Sequence, residues 1–235
     1  RSVSGYAALD TTLVFFTENH SMWTTNGTKQ NTSLIKTFEG YPNILYHPTE
    51  PYNENIMWFL TGWRLSCFQI WKTNGQKEGT LMIKEFLTKD SDTIPSFIYP
   101  MSPDRMFMFI PFENGFGIYK TKGIAGDVSE VVSFTNKWID DYEFDFLNNT
   151  MYFVVVDSLG KTLWRSDGTE MGTHMVHDVM PLSHYGPNQL LSTDKELYFI
   201  IDDGSDGKLW KSDGTSEGTQ VACDLNKYST DNYVA

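Results

Sequence analysis

The stretch Leu209-Trp210-Lys211-Ser212-Asp213-Gly214-Thr215 decides the fold, because close copies of it occur at four earlier points in the chain. Each copy carries one aromatic residue, which we call the repeat aromatic. The five repeat aromatics follow one another in steps of 48, 48, 45 and 46 residues: Trp23, Trp71, Tyr119, Trp164 and Trp210. A unit of this size is one supersecondary module, which buries its apolar face only by stacking on its neighbours.

Each copy combines an apolar ring with a turn signal. Asp213-Gly214 and Asp167-Gly168 pair an Asx residue with glycine, and the earlier copies keep Asn-Gly or Lys-Gly. Asx-Gly pairs tolerate positive φ, and the Asx side chain can bond its own backbone, so a turn between two strands is predicted. We expect the large ring before the turn to pack between consecutive modules.

Two further strands are predicted upstream of each repeat aromatic. The inner of these runs is rich in aromatic and β-branched residues, which is typical of strands buried on both faces. These runs are Leu13–Phe16, Ile56–Leu60, Met106–Ile110, Met151–Val156 and Leu197–Ile201. Weaker strands precede them at Val3–Leu9, Asn43–His47, Ser96–Pro100, Tyr142–Phe146 and Asn188–Leu191.

Four strands per copy predict an all-β fold, specifically a five-bladed β-propeller of four-stranded antiparallel blades. The repeats divide the chain at 1–39, 40–87, 88–135, 136–180 and 181–226, followed by a tail at 227–235. We expect one domain of 235 residues, and the polar tail could run to another repeat or lie along a neighbouring subunit. The start at Arg1 indicates either processing or a piece of a longer chain.

The copies resemble the ELWxxDGT repeat group, whose consensus Leu163–Thr169 and Leu209–Thr215 nearly spell out. The resemblance covers all five copies and implies a β-propeller-like fold in an exported or surface-attached protein. It implies no catalytic residues. In size, five blades are also similar to the five-bladed lectin tachylectin, although none of the binding motifs of that lectin occurs in this sequence.

Composition narrows the classes of partner. The net charge is −12 and the isoelectric point about 4.7, which argues against nucleic acid or an anionic membrane surface as a partner. No run of eighteen apolar residues exists, so no membrane insertion is expected. Other protein subunits, and glycans, remain as candidate partners.

Four Asn-x-Ser/Thr acceptors for N-glycosylation occur, at Asn19, Asn26, Asn31 and Asn148. Three of them fall within the first copy, and all four lie at predicted strand ends. The alternative is that they are ordinary surface asparagines in turns. We expect glycosylation, and with it an extracellular location.

The two cysteines, Cys67 and Cys223, belong to copies two and five, which would not touch in a ring of five. Free buried thiols are one interpretation. The other is a cross-link to another subunit, because Cys223 aligns with the polar residues Lys36, Lys84 and His177 of other copies.

Catalytic and metal signals are weak. His174 and His177 should point to opposite faces of a strand, and His184 stands apart from them. Asp202–Gly207 resembles a hairpin turn more than a calcium loop. No cofactor, metal or enzyme activity is expected. The aromatic residues Tyr52, Trp63 and Phe116, assigned to loops, could stack on sugars or seal blade edges.

The leading hypothesis is therefore a non-enzymatic extracellular glycoprotein that acts as a rigid scaffold in adhesion or as a subunit of a fibre or matrix. The alternative is a carbohydrate-binding lectin with equivalent sites between blades. Repeat-equivalent polar residues that meet in a pocket would favour the lectin, whereas large apolar contacts between chains would favour the scaffold.

Overall fold

The structure is a computed structural model and describes residues 3–39, 41–43, 56–63, 67–87, 97–102, 105–176, 186–202 and 207–225. These residues contain twenty β-strands and no α-helix. The prediction of an all-β fold is confirmed. No helix in the described ranges is long and apolar enough to cross a membrane.

The twenty strands form five four-stranded sheets, one within each predicted repeat, and the strands follow chain order in every sheet. Sheet 1 contains β1 (Val3–Leu9), β2 (Thr12–Thr17), β3 (Ser21–Thr25) and β4 (Ser33–Thr37), and sheet 2 contains β5 (Tyr41–Asn43), β6 (Met57–Trp63), β7 (Cys67–Thr73) and β8 (Leu81–Leu87). Sheet 3 contains β9 (Phe97–Ser102), β10 (Arg105–Phe112), β11 (Gly115–Thr121) and β12 (Ser129–Thr135). Sheet 4 contains β13 (Trp138–Leu147), β14 (Thr150–Asp157), β15 (Gly160–Ser166) and β16 (His174–Met175), and sheet 5 contains β17 (Pro187–Ser192), β18 (Leu197–Asp202), β19 (Gly207–Ser212) and β20 (Gln220–Asp224).

The chain divides into two compact units. One comprises residues 1–113 and 117–130, and the other comprises residues 114–116 and 131–235. The expectation of a single domain stays a prediction.

Several sequence-based boundaries need correction. The weak strand assigned to Asn43–His47 is β5, which ends at Asn43 within the described residues. The segment around Phe116, assigned above to a loop, is a hairpin: β10 ends at Phe112 and β11 begins at Gly115 after a short turn. Phe116 is therefore not a loop residue: it is 2% exposed and stacks on Phe134 with a centroid distance of 4.7 Å.

Apolar cores fill the spaces between consecutive sheets. Val14, Phe16 and Met22 of sheet 1 pack with Phe59 and Trp71 of sheet 2. The next core joins sheets 2 and 3, and another joins sheets 4 and 5. The modules thus bury their apolar faces by stacking, as repeats of this length require.

A β-bulge next to the repeat aromatic recurs and was not visible in the sequence. In sheet 1 the pairing shifts between Met22 and Trp23, so that Ile35 is the extra residue opposite them. The same shift occurs at Ile70 and Trp71 in sheet 2. A bulge re-aims side chains, and Ile35 is accordingly buried at 5% exposure on a strand whose neighbouring residues are more exposed.

Each turn is held by hydrogen bonds from short polar side chains. In copy five, the Asp213 carboxylate accepts hydrogen bonds from the backbone N–H and hydroxyl of Thr215, at 2.9 and 2.7 Å. Ser212 Oγ accepts from the Gly214 N–H at 3.0 Å and is hydrogen-bonded to the Thr219 hydroxyl at 2.7 Å. These bonds satisfy backbone groups that have no strand partner.

The second glycine of the repeat makes room for the Asx side chain. A Cβ added at Gly218 would overlap the Asp213 carboxyl group, and one added at Gly172 would overlap that of Asp167. A Cβ added at Gly79 would likewise overlap the Asn74 side chain. The spacing of five residues between the Asx residue and this glycine is therefore fixed by packing.

Copy three reverses this pair of residues. Lys122 takes the place of the Asx residue, and Asp127 takes the place of the second glycine. The Asp127 carboxylate accepts hydrogen bonds from the Thr121 hydroxyl and from the Lys122 N–H, the latter at 3.0 Å. The copy that looked most eroded in the sequence thus supplies the same carboxylate from the opposite side of the turn.

This reversal predicts energetic coupling between Lys122 and Asp127. Asp127→Gly removes the carboxylate and should cost about 1–3 kcal/mol of unfolding free energy. Lys122→Asp alone should also destabilise the protein, because it places a second carboxylate beside Asp127. The double variant restores the pattern of copies four and five and should be more stable than either single variant. Urea denaturation of the four proteins checks this, and simply additive losses would contradict it.

Candidate functional site

The candidate site is the junction at which one sheet packs on the next. In sheets 1, 2 and 5 the repeat aromatic stacks on a phenylalanine directly opposite it in its own sheet. Trp71 stacks on Phe59 with a centroid distance of 6.2 Å, and Trp210 stacks on Phe199 at 6.3 Å. The two rings of such a pair form one flat apolar surface that faces the preceding sheet.

The preceding sheet covers this surface with a phenylalanine placed edge-on. Phe38 meets Trp71 at 5.2 Å with an interplanar angle of 80°. Phe86 meets Tyr119 at 6.1 Å and 84°, and Phe134 meets Trp164 at 4.9 Å and 88°. Edge-to-face contact directs the positive ring edge at the negative ring face, which stabilises the pair beyond the area it buries.

The junction between sheets 1 and 2 adds a cation and a polar network. Lys36 Nζ lies 5.0 Å from the Trp71 ring centroid, within the range of a cation–π contact. The Trp71 indole N–H donates to Thr61 Oγ1 at 3.0 Å and to Gln69 Oε1 at 3.2 Å. Gln69 Nε2 in turn donates to a Glu85 carboxylate oxygen at 2.6 Å.

The indole N–H is satisfied less well in the last copy. The residue two before Trp164 is Thr162, whose hydroxyl accepts the Trp164 N–H at 3.0 Å. Lys208 occupies that position before Trp210. The buried Trp210 N–H has no hydrogen-bond partner among the described residues.

The turn glycine of each following sheet rests on side chains of the preceding sheet. Gly214 has φ of 93°, and a Cβ there would overlap the Tyr152 hydroxyl group. Arg165 Nη1 also donates to the Gly214 carbonyl at 2.9 Å. Gly123 is seated in the same way, because a Cβ would lie 2.8 Å from Lys72 Nζ and 2.9 Å from Trp58 Cη2. Glycine is needed twice here, for the positive φ and for the close approach.

The contacts described above shift the pKa values of several ionisable side chains. Burial, together with the hydrogen bond to Glu130, raises the pKa of Tyr119 to about 12. Hydrogen bonds from Thr169 and Thr215 lower the pKa values of Asp167 and Asp213. In the described part of the chain, no group of three or more His, Cys, Asp or Glu side chains could hold a metal ion. The expected absence of metals and cofactors stays a prediction.

Sheet 1 has the same stacked pair of rings, with side chains that are more exposed than those of the other sheets. Phe15 stacks on Trp23 at 6.5 Å, yet both are only half-buried. Leu13 is 36% exposed, whereas Met57, Met151 and Leu197, at the same position in sheets 2, 4 and 5, are 1%, 0% and 0% exposed. The prediction that Leu13–Phe16 is buried on both faces is therefore wrong. We call Tyr6, Leu13, Phe15, Trp23 and Gly27 the receiving face.

Two further features mark the receiving face as open. Tyr6 is 60% exposed, and it helps to line a depression of about 580 Å³ together with Val3, Ser4, Gly5, Leu13 and Phe15. Gly27 has φ of 92°, nearly that of Gly214, but a Cβ added to Gly27 would meet nothing within 4 Å. The turn glycine of sheet 1 thus lacks the seat that Gly75, Gly123 and Gly214 have.

In sheet 5 several residues are more exposed than their counterparts in sheet 4. Tyr198, Ile200 and Leu209 are half-buried, whereas their counterparts in sheet 4, Tyr152, Val154 and Leu163, are 2%, 0% and 0% exposed. Leu225 occupies the position of Phe38, Phe86 and Phe134 and is 37% exposed. We call Tyr198, Ile200, Leu209, Lys211 and Leu225 the covering face.

Tyr198 and Lys211 of the covering face correspond to Tyr152 and Arg165, the residues that seat Gly214. In sheet 5 both bind Glu196: the Tyr198 hydroxyl donates at 2.8 Å, and Lys211 Nζ donates at 2.7 Å. The hydrogen bond to Glu196 raises the pKa of Tyr198 and also that of Lys211.

The four glycosylation candidates lie on turns. Asn19 is in the β2–β3 turn, Asn26 and Asn31 are in the β3–β4 turn, and Asn148 is in the β13–β14 turn; all four are exposed. Asn26 Oδ1 accepts from the Thr28 N–H at 3.2 Å and the Thr28 hydroxyl at 2.8 Å. None of these asparagines belongs to the receiving face.

Cys67 begins β7, Cys223 lies on β20, and both are half-buried free thiols. The intersubunit disulfide stays a prediction. His174 is exposed on β16, whereas His177 and His184 lie outside the described residues. Tyr52, the Trp63 side chain, the Asp202–Gly207 loop interior and the tail after 225 also lie outside them.

Comparison with known proteins gives the fold alone. No family model and no curated protein sequence matches the chain. Oligopeptidase B from Trypanosoma brucei is similar in structure at 9% identity with a TM-score of 0.54, over 95% of this chain and 34% of that protein. A puromycin-hydrolyzing peptidase of Mycobacterium tuberculosis gives 10% identity and a TM-score of 0.50, over 94% of this chain and 37% of the peptidase.

A putative TolB from Agrobacterium tumefaciens gives 12% identity and a TM-score of 0.48, over 94% of this chain and 79% of that protein. The chain spans only about a third of each of the two peptidases. Together with the five sheets in chain order, the peptidase likenesses support an all-β repeat fold of the β-propeller class.

Replacement of turn glycines should separate backbone strain from packing. Gly27→Ala and Gly214→Ala impose nearly the same strain, because φ is 92° and 93°. Only Gly214→Ala pushes a methyl group into Tyr152, so it should cost about 1–3 kcal/mol more in unfolding free energy. Denaturation at low protein concentration measures the unfolding free energy of both variants. Equal losses would show that the contact between Gly214 and Tyr152 does not contribute to stability.

The turn carboxylates should make the protein sensitive to acid. The pKa values of Asp167 and Asp213 are lowered in the folded state. Their contribution is therefore complete above the ordinary pKa of 3.8 and disappears as the pH falls through the lowered values. In Asp167→Asn/Asp213→Asn, the loss of unfolding free energy between about pH 6 and pH 2 should be smaller than in the unmodified protein.

Asparagine is the matched substitution for this test, because Asn74 Oδ1 already accepts the equivalent backbone bond at 3.0 Å. The variant should be made in bacteria, since it creates two new Asn-Gly-Thr glycosylation acceptors. Some acid sensitivity should remain, because the Lys137 hydrogen bond lowers the pKa of Asp157 as well. Identical pH profiles for both proteins would contradict the prediction.

Proposed function

We propose that the five sheets are the blades of a five-bladed propeller-type module and that the chain is a non-enzymatic extracellular glycoprotein scaffold. It would act in adhesion or as a subunit of a fibre or matrix, with other protein subunits as its partners. One observation carries the proposal: the exposed side chains of Tyr6 and Leu13 on sheet 1 line a mostly apolar depression of about 580 Å³. Exposed apolar surface of this kind is typical of protein–protein contacts.

The turns support the extracellular part of the proposal. All four acceptor asparagines are exposed, and three of them belong to sheet 1. The turns at the two ends of β3 carry three of these asparagines: Asn19, Asn26 and Asn31. A surface that carries sugar around an apolar face suits a protein that meets its partners outside the cell.

The perturbed ionisable groups support a structural role. The largest resolved shift is that of Tyr119, and burial between sheets is its main cause. The lowered pKa values of Asp167 and Asp213 follow from hydrogen bonds inside turns. Active sites generally gather such groups in one cleft, and these three lie in three different copies.

A lectin is the second candidate, and a cleft of about 380 Å³ favours it. Lys36, Gln69, Trp71 and Glu85 are among the residues that line this cleft. However, Trp71 is only 8% exposed, with Phe59 stacked on it and Lys36 over the ring. Little ring area is left for a sugar, so polar contacts would have to supply the affinity.

The test uses the chain secreted from eukaryotic cells. We expect a mass above that of the polypeptide, which falls on enzymatic removal of N-linked glycans. We also expect oligomers or filaments in electron micrographs and no binding on a glycan array. If the secreted protein stays monomeric and binds sugar saturably, the result would contradict the scaffold and support the lectin. An unglycosylated mass would contradict the extracellular glycoprotein.

A further inference from the structure

We propose that the serine or threonine before each Asx residue of the repeat protects the following Asx-Gly bond against succinimide formation. Four of the five turns contain such a bond: Asn26-Gly27, Asn74-Gly75, Asp167-Gly168 and Asp213-Gly214. We call the residues that precede these bonds the turn hydroxyls, and they are Thr25, Thr73, Ser166 and Ser212. This role goes beyond the proposed function, because it holds whether or not the protein assembles.

Succinimide formation needs no enzyme and no reagent except water. The glycine nitrogen attacks Cγ of the Asx side chain, so that a new N–C bond forms and the Cγ bond to the leaving group breaks. Asparagine loses ammonia and aspartic acid loses water, and the glycine N–H proton departs with the leaving group. Water then opens the cyclic imide at either carbonyl, which gives aspartate or isoaspartate. Glycine favours the attack because it has no Cβ to shield its nitrogen, and asparagine is among the thermolabile residues.

The glycine nitrogen belongs to a chain of hydrogen bonds, which copy two shows in full. The Gly75 N–H donates to Thr73 Oγ1 at 3.0 Å, and the hydroxyl oxygens of Thr73 and Thr80 lie 2.7 Å apart. The Thr80 hydroxyl donates its proton to the Gln76 carbonyl at 2.7 Å. The Thr73 hydroxyl is therefore the donor to Thr80 and accepts from Gly75. A hydroxyl that donates within such a chain is a stronger acceptor.

The same chain occurs in every turn that contains an Asx-Gly bond. The turn hydroxyls of copies one, four and five accept from the glycine N–H at 3.0, 3.1 and 3.0 Å. A threonine seven residues after each of them continues the chain to a backbone carbonyl: Thr32, Thr173 and Thr219.

Copy three has no Asx-Gly bond, and its chain of hydrogen bonds is different. Lys122 replaces the Asx residue, and Val128 replaces the threonine that continues the chain. Thr121 still accepts from the Gly123 N–H at 3.0 Å, but it donates to the Asp127 carboxylate. The complete chain thus accompanies the reactive bond, whereas the first hydrogen bond also serves the turn itself.

The Asx side chain is held in place as well. Its Oδ1 accepts from the N–H two residues further on, at 3.0 Å in Asn74 and 2.9 Å in Asp213. Because both reacting groups are hydrogen-bonded, their approach requires local opening of the turn. Aspartate must also be protonated before it can lose water. The hydrogen bonds from Thr215 lower the pKa of Asp213, so a smaller fraction of this carboxyl group is protonated at a given pH.

Isoaspartate would disturb the packing between sheets. It adds one carbon atom to the main chain directly before the turn glycine. Gly214 already lies so close to Tyr152 that an added Cβ would overlap the tyrosine hydroxyl group. A longer main chain at this point would displace the turn from that contact, so protection of the bond preserves the junction.

Two reciprocal variants of the full chain test the inference. Thr73→Ala removes the acceptor beside Asn74, and Thr25→Ala removes the acceptor beside Asn26. After incubation in mildly alkaline buffer, peptide mass spectrometry measures the conversion of each asparagine separately. Each variant should convert its own asparagine roughly two- to tenfold faster than the unmodified protein does, the factor that one ordinary hydrogen bond gives. The other asparagine should react at an unchanged rate. Expression in bacteria keeps Asn26 free of glycan.

Matched controls separate the hydrogen bond from general destabilisation. Thr73→Ser keeps an acceptor for the Gly75 N–H and should restore the slow rate at Asn74. Thr80→Ala removes the bond between the two hydroxyl groups but leaves that acceptor in place, so it should accelerate the reaction less than Thr73→Ala does. Asn114-Gly115 lies outside the repeat turns and should react equally fast in all variants. Circular dichroism shows whether each variant is folded.

The ratio of the rates at Asn74 and Asn26 decides the outcome. A folded variant that leaves this ratio unchanged would overturn the inference, and so would equal acceleration at both asparagines, since that reports only lower global stability. Thr73 is fully buried, whereas Thr25 is only half-buried. If Thr73→Ala does not fold, Thr25→Ala therefore still decides. None of these results depends on oligomers, glycans or sugar binding, so the proposed function is tested separately.

Discussion

The close approach of the turn glycines of sheets 3 and 5 to the sheet before them is the constraint on which the packing between sheets depends. Gly123 and Gly214 combine positive φ with side chains directly beneath them. Because the turn lies so close to the preceding sheet, the repeat aromatic contacts the phenylalanine of that sheet. Apolar side chains then pack around both rings. The conformation of the turn and the packing between sheets therefore depend on each other, which explains why the repeat aromatic and the turn glycine recur together.

The same constraint explains which changes the repeat tolerates. The ring can be tyrosine in copy three, where Tyr119 keeps its edge-on partner and its hydroxyl donates to Glu130. The turn carboxylate can move from one side of the turn to the other, as in Asp127, where it accepts from a different hydroxyl and a different backbone N–H. The glycine at the turn itself is kept in all five copies, because φ is positive at each of them.

The period and the residue types could be predicted from the sequence, because strands, Asx-Gly turns and large rings are local signals. The bulge at Ile35 could not, since it depends on register against β3 and leaves the composition of β4 unchanged. Phe116 was misassigned for a similar reason: a glycine-rich hairpin looks like a loop until its partner strand is known. The exchange of Lys122 and Asp127 looks like loss of the repeat pattern until the hydrogen bonds that Asp127 accepts within the turn are known.

The exposure of Leu13 was the least predictable feature. The sequence Leu13–Phe16 is typical of a buried strand, because each repeat carries the same run of large apolar residues. The run determines that Leu13 is apolar, but its exposure depends on which side chains pack against Phe15 and Trp23. That packing is set by residues distant in the sequence, so no local signal encodes it.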